Sequence, residues 1–456
     1  MQEYTKRLGD APLGRLLIKL SLPGIAATIS TSLYNIVNTI WVSRIGFEAI
    51  AALTVIFPYQ ILFYAIGGGT GIGVAALVSR QFGEKNPEAT NHVAGQIFFL
   101  SALWGLLFIL VSVSFPDQIV RILGATPDII EYSKQYLVIT SFGAPLVIFE
   151  VVIASLLRGS GDAVKPMIIM ISSTLINIIL DPFLIFGIGP FPELGVAGAA
   201  LGTVIAQAFG ALLGLYYLLA GKTAYHVKLA HLRPDMSILK DIYRIGAPMV
   251  VTQVMESLAF LIFNKVVSSF GSLVIAVVGI IIRISDFAFM PAMGVSNGLL
   301  PIVGYNYGAR NFKRLWQAVK LASVGLMILL IVLTIFMVVF APWIVDVFSN
   351  DPDLTAKAIP ALRIMLSTML LVGPTMMFIT AFQGLSQGTK ALFLSLLRQF
   401  IIFVPLLLLF RHLFGLTGVW VSMPASDILS FVLIFFFIYR EYRKRPGSEP
   451  LPMKQQ

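Results

Sequence analysis

The chain has 456 residues, 57% of them hydrophobic and only 12% charged, with mean hydropathy +0.89. A soluble globular domain carries roughly 25% charged residues, so this composition excludes a soluble protein. The net charge of +10 suggests nucleic acid at first sight, but the basic residues sit in particular loops, so membrane orientation explains them better and no nucleic-acid partner is expected.

A hydrocarbon core about 30 Å thick needs roughly 20 apolar residues per helix. Twelve segments qualify: 16–42, 49–78, 94–115, 134–157, 164–188, 196–220, 246–269, 274–303, 317–340, 355–386, 391–410 and 416–439. Six fall in each half. The expected fold is an all-α polytopic membrane protein of two pseudo-symmetric six-helix lobes. These are an N-lobe over 1–220, a cytoplasmic linker with a short surface helix over 221–245, a C-lobe over 246–440 and a cytoplasmic tail over 441–456. The halves repeat at an offset of 225 residues. Pro23 falls on Pro248, Gly69 on Gly294, Gly73 on Gly298, Gly83 on Gly308 and Asn86 on Asn311. Membrane chains built from two like halves usually place a substrate site between them.

In the first span Pro23 is a candidate bending point. Thr28, Thr31, Asn35 and Asn38 follow helical spacing, with Tyr34 beside them. Such a polar stripe must turn away from lipid, towards partners or water. Thr31, Tyr34 and Asn35 are therefore candidate cavity residues. In the second span the run Gly67 to Gly73 lacks the strand and the Gly-Lys-Ser/Thr of a phosphate loop; small residues there suit close helix packing. Glu150 in the fourth span has no obvious partner and ranks lower.

The fifth span carries Asn177 and Asp181, four apart on one helical face, followed by Pro182. Proline frees a backbone carbonyl and is a second candidate bending point. A carboxylate, a carboxamide and a freed carbonyl suit a proton or a hard cation such as Na⁺. In the linker, His226 and His231 are expected to be exposed. Glu256 stands about ten residues into the seventh span, where the repeat places Thr31, so the halves differ there. A lone carboxylate at mid-depth carries a proton or meets a cationic substrate. Gln253, one turn earlier, is a candidate cavity residue. Arg283 and Asp286 in the eighth span are expected to neutralise each other, and Asp427 in the twelfth to pair with Arg398.

With the N-terminus inside, 23 Lys and Arg fall on the cytoplasmic side and 6 outside. Both termini are therefore expected in the cytoplasm. The first apolar run lacks an Ala-x-Ala-like cleavage site and reads as a helix and not a signal peptide. Without cysteine there is no disulfide or thiolate metal site. The four histidines lie near span ends or in loops, and no metal-ligand cluster, nucleophile elbow or nucleotide loop appears. No enzyme activity and no cofactor are expected.

Several stretches resemble the multidrug and toxic compound extrusion (MATE) transporters. One is Leu22-Pro23 with Leu33 to Thr39 and Gly46. Others are Leu157-Arg158-Gly159-Ser160-Gly161-Asp162 with Lys165-Pro166, and Asn177 to Pro182 with Gly195 to Ala200 and Thr203. The last looks most like prokaryotic DinF-type members, whose N-lobe cluster handles the coupling cation. Carried over, that cluster is Asn38, Asn177, Asp181 and Thr203. Aspartate is usual at the place of Asn38, which cannot take up a proton but can ligate Na⁺; a Na⁺ site at Asn38, Asn177 and Asp181 is the one metal reading. Glu256 resembles the seventh-helix glutamate of NorM-type members. The resemblance implies an inner-membrane antiporter, monomeric and surrounded by lipid. It would export cationic and aromatic compounds in exchange for H⁺ or Na⁺ by alternating access. The alternative is a flippase of lipid-linked saccharides, which needs cavity cations for pyrophosphate. Lys265, Arg283 and Arg398 are available, whereas no buried cation is expected in the N-terminal spans.

Overall fold

The computed structural model describes residues 8–348 and 352–443. The tail beyond 443 and the side chain of Asn35 lie outside the described residues.

Among the described residues all regular secondary structure is helical. The first half contains α1 (Leu13–Ser43), α2 (Phe47–Gly83), α3 (Pro87–Ser114), α4 (Pro116–Ile122), α5 (Ile130–Phe142), α6 (Ala144–Gly159), α7 (Val164–Phe186) and α8 (Gly195–Leu219). The second contains α9 (Met236–Ser268), α10 (Ser272–Gly308), α11 (Phe312–Val339), α12 (Ala341–Phe348), α13 (Pro352–Leu366), α14 (Met369–Gly384), α15 (Gly388–Leu396) and α16 (Phe403–Arg443). A π-helical turn, Leu397–Ile402, joins the last two.

Nine helices are long and apolar enough to span a bilayer, and two bent pairs, α5 with α6 and α13 with α14, add two more. The longest apolar run, Gly388–Arg443, is two spans. Gly415 adopts φ 61°, ψ −134°, a conformation that costs glycine least. There the chain folds back. Arg398 Nε meets Asp427 Oδ1 at 2.9 Å, and Ser426 Oγ donates to the Arg398 carbonyl at 3.0 Å. On one straight helix those residues would stand about 44 Å apart at 1.5 Å per residue. Among the described residues the count is thus twelve spans, six per half.

The offset of 225 reappears as geometry. Asn86 caps α3 by accepting from the Ala89 amide at 3.1 Å, and Asn311 caps α11 by accepting from the Arg314 amide at 3.1 Å. The residues before them, Lys85 and Arg310, take φ 56° and 55°. The bends of 48° after Phe142 and 42° after Leu366 also correspond.

The lobes touch through α1 with α10, α2 with α9, and α2 with α10. The repeat exchanges the first two pairs and maps the third onto itself, as a two-fold axis would. Glycines carry these contacts. Gly69 packs on Gly246 and Val250; its equivalent, Gly294, packs on Ser21 and Ile25. A Cβ at Gly83 would overlap the Tyr305 carbonyl oxygen, and one at Gly308 would overlap that of Arg80. All these residues lie in the helix halves nearest Leu13, Gly83, Met236 and Gly308, the face that bears both chain ends. There Leu8, 1% exposed, bridges the lobes: its carbonyl accepts from Asn306 Nδ2 at 3.5 Å and from Arg314 Nε at 3.4 Å. No cross-lobe hydrogen bond among the described residues falls at the opposite face.

The segment after α8 is not a free linker. Gln96 Nε2 donates to the carbonyls of His231 and Arg233 at 3.1 and 2.9 Å, and Gln96 Oε1 accepts from the Asp235 amide at 3.0 Å. The His226 amide donates to Asn91 Oδ1 at 2.9 Å. The strap ends where Asp235 caps α9, which begins at Met236.

Among the ion pairs, Arg398 with Asp427 is the expected one. Thr368 Oγ1 also donates to Asp427 Oδ2 at 3.0 Å. Both partners are largely buried, so Asp427→Ala would leave a buried guanidinium unpaired. We expect it to lower stability by about 3–5 kcal/mol, with a smaller loss for the apolar double replacement Arg398→Met with Asp427→Leu. Thermal unfolding in detergent reads both. Among the described residues the expected pair Arg283 and Asp286 does not form; both residues are exposed, so neither charge is buried without a partner.

Candidate functional site

The N-lobe gathers the polar residues of α1, α7 and α8 around one buried point. Four-residue spacing puts Asn177 and Asp181 on one face of α7, and Asn177 Nδ2 donates to Asp181 Oδ1 at 3.0 Å. It also reaches Thr203 Oγ1 on α8 at 3.5 Å. The helices approach closely because Gly202 has no side chain: a Cβ there would collide with Asp181 Oδ1. Tyr34 links α1 to this group, its hydroxyl 3.4 Å from Thr203 Oγ1 and accepting from Asn38 Nδ2 at 3.4 Å. Asp181 is 0% exposed, Asn177 2%, Thr203 7% and Asn38 9%.

Every donor in the group is used, whereas three acceptors are not. Asn38 Oδ1, Asn177 Oδ1 and Asp181 Oδ2 are buried without a hydrogen-bond partner. Buried acceptors are nearly always paired. Each of the three, one of them a carboxylate oxygen, is short of a donor or a positive charge. The arrangement can hold a proton on Asp181 or an oxygen-coordinated cation.

Beside this cluster lies a cavity of about 290 Å³ lined by residues of α1, α2, α6, α7 and α8. Thr31, Tyr34, Asn177 and Thr203 reach it. Thr31 Oγ1 is satisfied within its own helix, by the Ala27 carbonyl at 3.1 Å. Glu150, ranked low on sequence, lines the same cavity at 8% exposure, against Ser173 and Gly210. The signal for it was present, a carboxylate in an apolar span; its facing partner across α8 is a glycine, which leaves no mark.

Arg158 also lines the cavity. On sequence it fell just beyond the fourth span, 134–157, on the cytoplasmic side. The N-terminal half therefore does hold an inward cation, contrary to the expectation for its spans, because α6 runs through Gly159 and carries the side chain with it.

Glu256 and Gln253 lie on α9, in the other lobe, and do not join the cluster. Glu256 faces Gln399 and Arg398 at the π-helical turn. Pro23 and Pro182 both sit inside unbroken helices, α1 and α7.

Two histidine readings change. His231 is 2% exposed and not open to solvent. With Glu88 and His92 it forms a group of possible metal ligands lying within 4.8 Å of one another, which the spacing along the chain could not reveal. Its chemistry disfavours a metal. His231 Nδ1 accepts from the Lys228 amide at 3.0 Å, so Nε2 carries the proton and donates to Glu88 Oε1 at 2.9 Å. A metal needs the Nε2 lone pair that this tautomer lacks. The group reads as the fastening of the strap to α3.

The family model MatE matches twice, over 23–183 and 248–409, and the two matches start 225 residues apart. The chain is 29% identical over 431 residues to the multidrug export protein MepA of Staphylococcus haemolyticus, covering 94% of each. It is 29% identical over 433 residues to MepA of Staphylococcus aureus, again covering 94% of each. Among solved structures, a multidrug resistance MATE family transporter in an outward-facing conformation superposes with TM-score 0.90 at 28% identity, over 96% of this chain and 98% of that one. A MOP superfamily transporter from Pyrococcus furiosus superposes with TM-score 0.90 at 27% identity, over 97% and 98%.

Proposed function

The chain belongs to the MatE family, and on that premise we propose a secondary active multidrug exporter driven by Na⁺ entering through the N-lobe. The three buried acceptor oxygens of Asn38, Asn177 and Asp181 carry this reading. A proton on Asp181 would satisfy one of them; a hard cation takes its ligands from oxygen and calls on acceptors of this kind, carboxylate and carboxamide alike. Asn38 suits this chemistry, as a carbonyl oxygen ligates a cation without titrating.

Placing the termini in the cytoplasm, as the charge asymmetry favours, makes the glycine contacts a closed cytoplasmic gate and opens the cleft outward. In that state Na⁺ from outside reaches Asp181. Binding draws α1 towards α7 and α8 through Asn38 and Tyr34, and the bend available at Pro23 lets α1 move without unwinding. Drug and cation then occupy one lobe, so loading of one expels the other. Glu256, in the other lobe, supplies a further place for a cationic substrate. The lobes rock about the α2 and α10 contact, while the strap keeps the 223–235 segment with the N-lobe and leaves the flexing to the start of α9.

The test is efflux of a fluorescent cationic dye from proteoliposomes under a Na⁺ gradient and, separately, a pH gradient. We expect Na⁺-driven efflux and no response to pH without Na⁺. Efflux driven by protons in Na⁺-free buffer would reject the three-oxygen reading.

A further inference from the structure

Each helix that opens a lobe is preceded by a segment fastened to the other lobe. The strap leading into α9, the first helix of the C-lobe, is held by Asn91 and Gln96 on α3 of the N-lobe. The segment leading into α1, the first helix of the N-lobe, is held by α10 and α11 of the C-lobe. By the offset of 225, Leu8 falls on Arg233, Asp10 on Asp235, and α3 on α11. The two leaders therefore cross at the closed face, under the same two-fold exchange as the helix pairs.

The two ends of the first leader are gripped differently. On the C-lobe the grip is polar and falls on main chain. Arg314 Nε and Nη2 each donate to the Leu8 carbonyl at 3.4 Å, and Nη2 also donates to the Ala11 carbonyl. Asn306 Nδ2 donates to the Leu8 carbonyl at 3.5 Å. Gly9 lies against the Tyr305 ring, where a Cβ would come to 3.2 Å from the hydroxyl. On the N-lobe the grip is the Leu8 side chain, which sits over Gly161 in the turn between α6 and α7. A Cβ at Gly161 would stand 3.2 Å from it, and the φ of 84° there suits glycine. Hydrogen bonds from a guanidinium are strong and directional, whereas dispersion contacts are lost over a gap of about 1 Å. When the lobes part at this face, the seat on Gly161 yields before the bonds to Arg314 do.

We propose that residues 8–12 are a latch on the closed face, anchored to the C-lobe by Arg314 and Asn306 and seated reversibly on Gly161 of the N-lobe. Leaving the seat exposes Leu8, which is 1% exposed when seated. That loss of burial biases the resting population towards the closed face. The leader of α1 thus sets how often the face opens, whichever cation or drug is carried.

The test reads opening directly, in purified protein without substrate or gradient. The chain has no cysteine. Ser79 on α2 is 0% exposed and packs on Gly304 of the other lobe, so maleimide labelling of Ser79→Cys requires the face to open. Ser133→Cys, 0% exposed on α5, reports general loosening of the N-lobe. We expect Leu8→Ala to raise labelling at position 79 about tenfold or more and to leave position 133 unchanged. Leu8→Met, which fills the same volume, should keep the wild-type rate. Arg314→Gln loosens the anchor and should raise the rate by a similar factor. Combined with Leu8→Ala it should add little, because both changes break one device. An unchanged rate in both single variants overturns the proposal. So does a double variant whose rate is the product of the single effects, or a parallel rise at position 133. Because no transport is measured, these outcomes are separate from the fate of the exporter reading.

Discussion

Asp181→Asn is expected to abolish gradient-driven export while leaving the protein folded. The replacement is isosteric. Its Oδ1 can still accept from Asn177 Nδ2, the bond of 3.0 Å seen here. Its new amide stands where Asp181 Oδ2, a buried acceptor without a partner, stood. The variant therefore imitates the occupied site. It loses the charge that attracts the cation and puts a donor where an unpartnered acceptor stood. Losing one charged ligand should weaken cation binding by about 3 kcal/mol, roughly a hundredfold. Two measurements together check this. Dye efflux under a Na⁺ gradient should fall to background, and thermal unfolding in Na⁺-free buffer should occur at the same or a higher temperature than the wild type. Export at the wild-type rate would remove Asp181 from the coupling site. A large fall in stability would make its role structural.

The second large effect is expected at the gate. Gly83 and Gly308 meet across the pseudo-two-fold axis, each facing a backbone carbonyl of the other lobe. A side chain there cannot be accommodated by a rotamer change, because what it meets is main chain. Gly83→Val should oppose closure by about 3 kcal/mol, the upper range for overpacking, and shift the closed population roughly a hundredfold. Transport should drop accordingly, since the cycle must pass through the closed state. The chain contains no cysteine, so the gate can be read directly. Cysteines introduced at Glu84 and Ala309, which flank the contact, should cross-link readily in the wild-type background and poorly with Gly83→Val. Efficient cross-linking with normal transport would show that the glycines are tolerant sites and not the gate.

Much of this was legible in advance, and for identifiable reasons. Span number follows from hydropathy, because a bilayer requires each crossing helix to be apolar over a fixed length. The two-lobed plan follows from the offset of 225, because equal backbone geometries demand glycine, proline and capping asparagine at equal places. Asn86 and Asn311 do the same capping in both halves. Asn177 and Asp181 could be paired from spacing alone, since four residues on a helix share a face. The Arg398 and Asp427 pair was suggested by the scarcity of charges in the spans and is present.

What sequence left open depended on contacts between segments far apart in the chain. Glu150 looked isolated because its near neighbours are Ser173, on α7, and Gly210, on α8, neither of which advertises a carboxylate. Arg158 looked like a residue just beyond its span, since its direction is set by where the cavity lies and not by its own neighbours. His231 looked exposed until α3 supplied Glu88 and Gln96 around it. Arg283 and Asp286 had the right spacing but no burial to make pairing worthwhile. By itself, then, the sequence determined the solvent, the span lengths, the internal symmetry and the faces that share one helix, all properties of short range and fixed period. Only the tertiary structure decided which oxygens were left without donors, which charge turned inward and which face of the cleft was shut. Those depend on how helices separated by a hundred residues or more approach one another, and no local spacing encodes that distance.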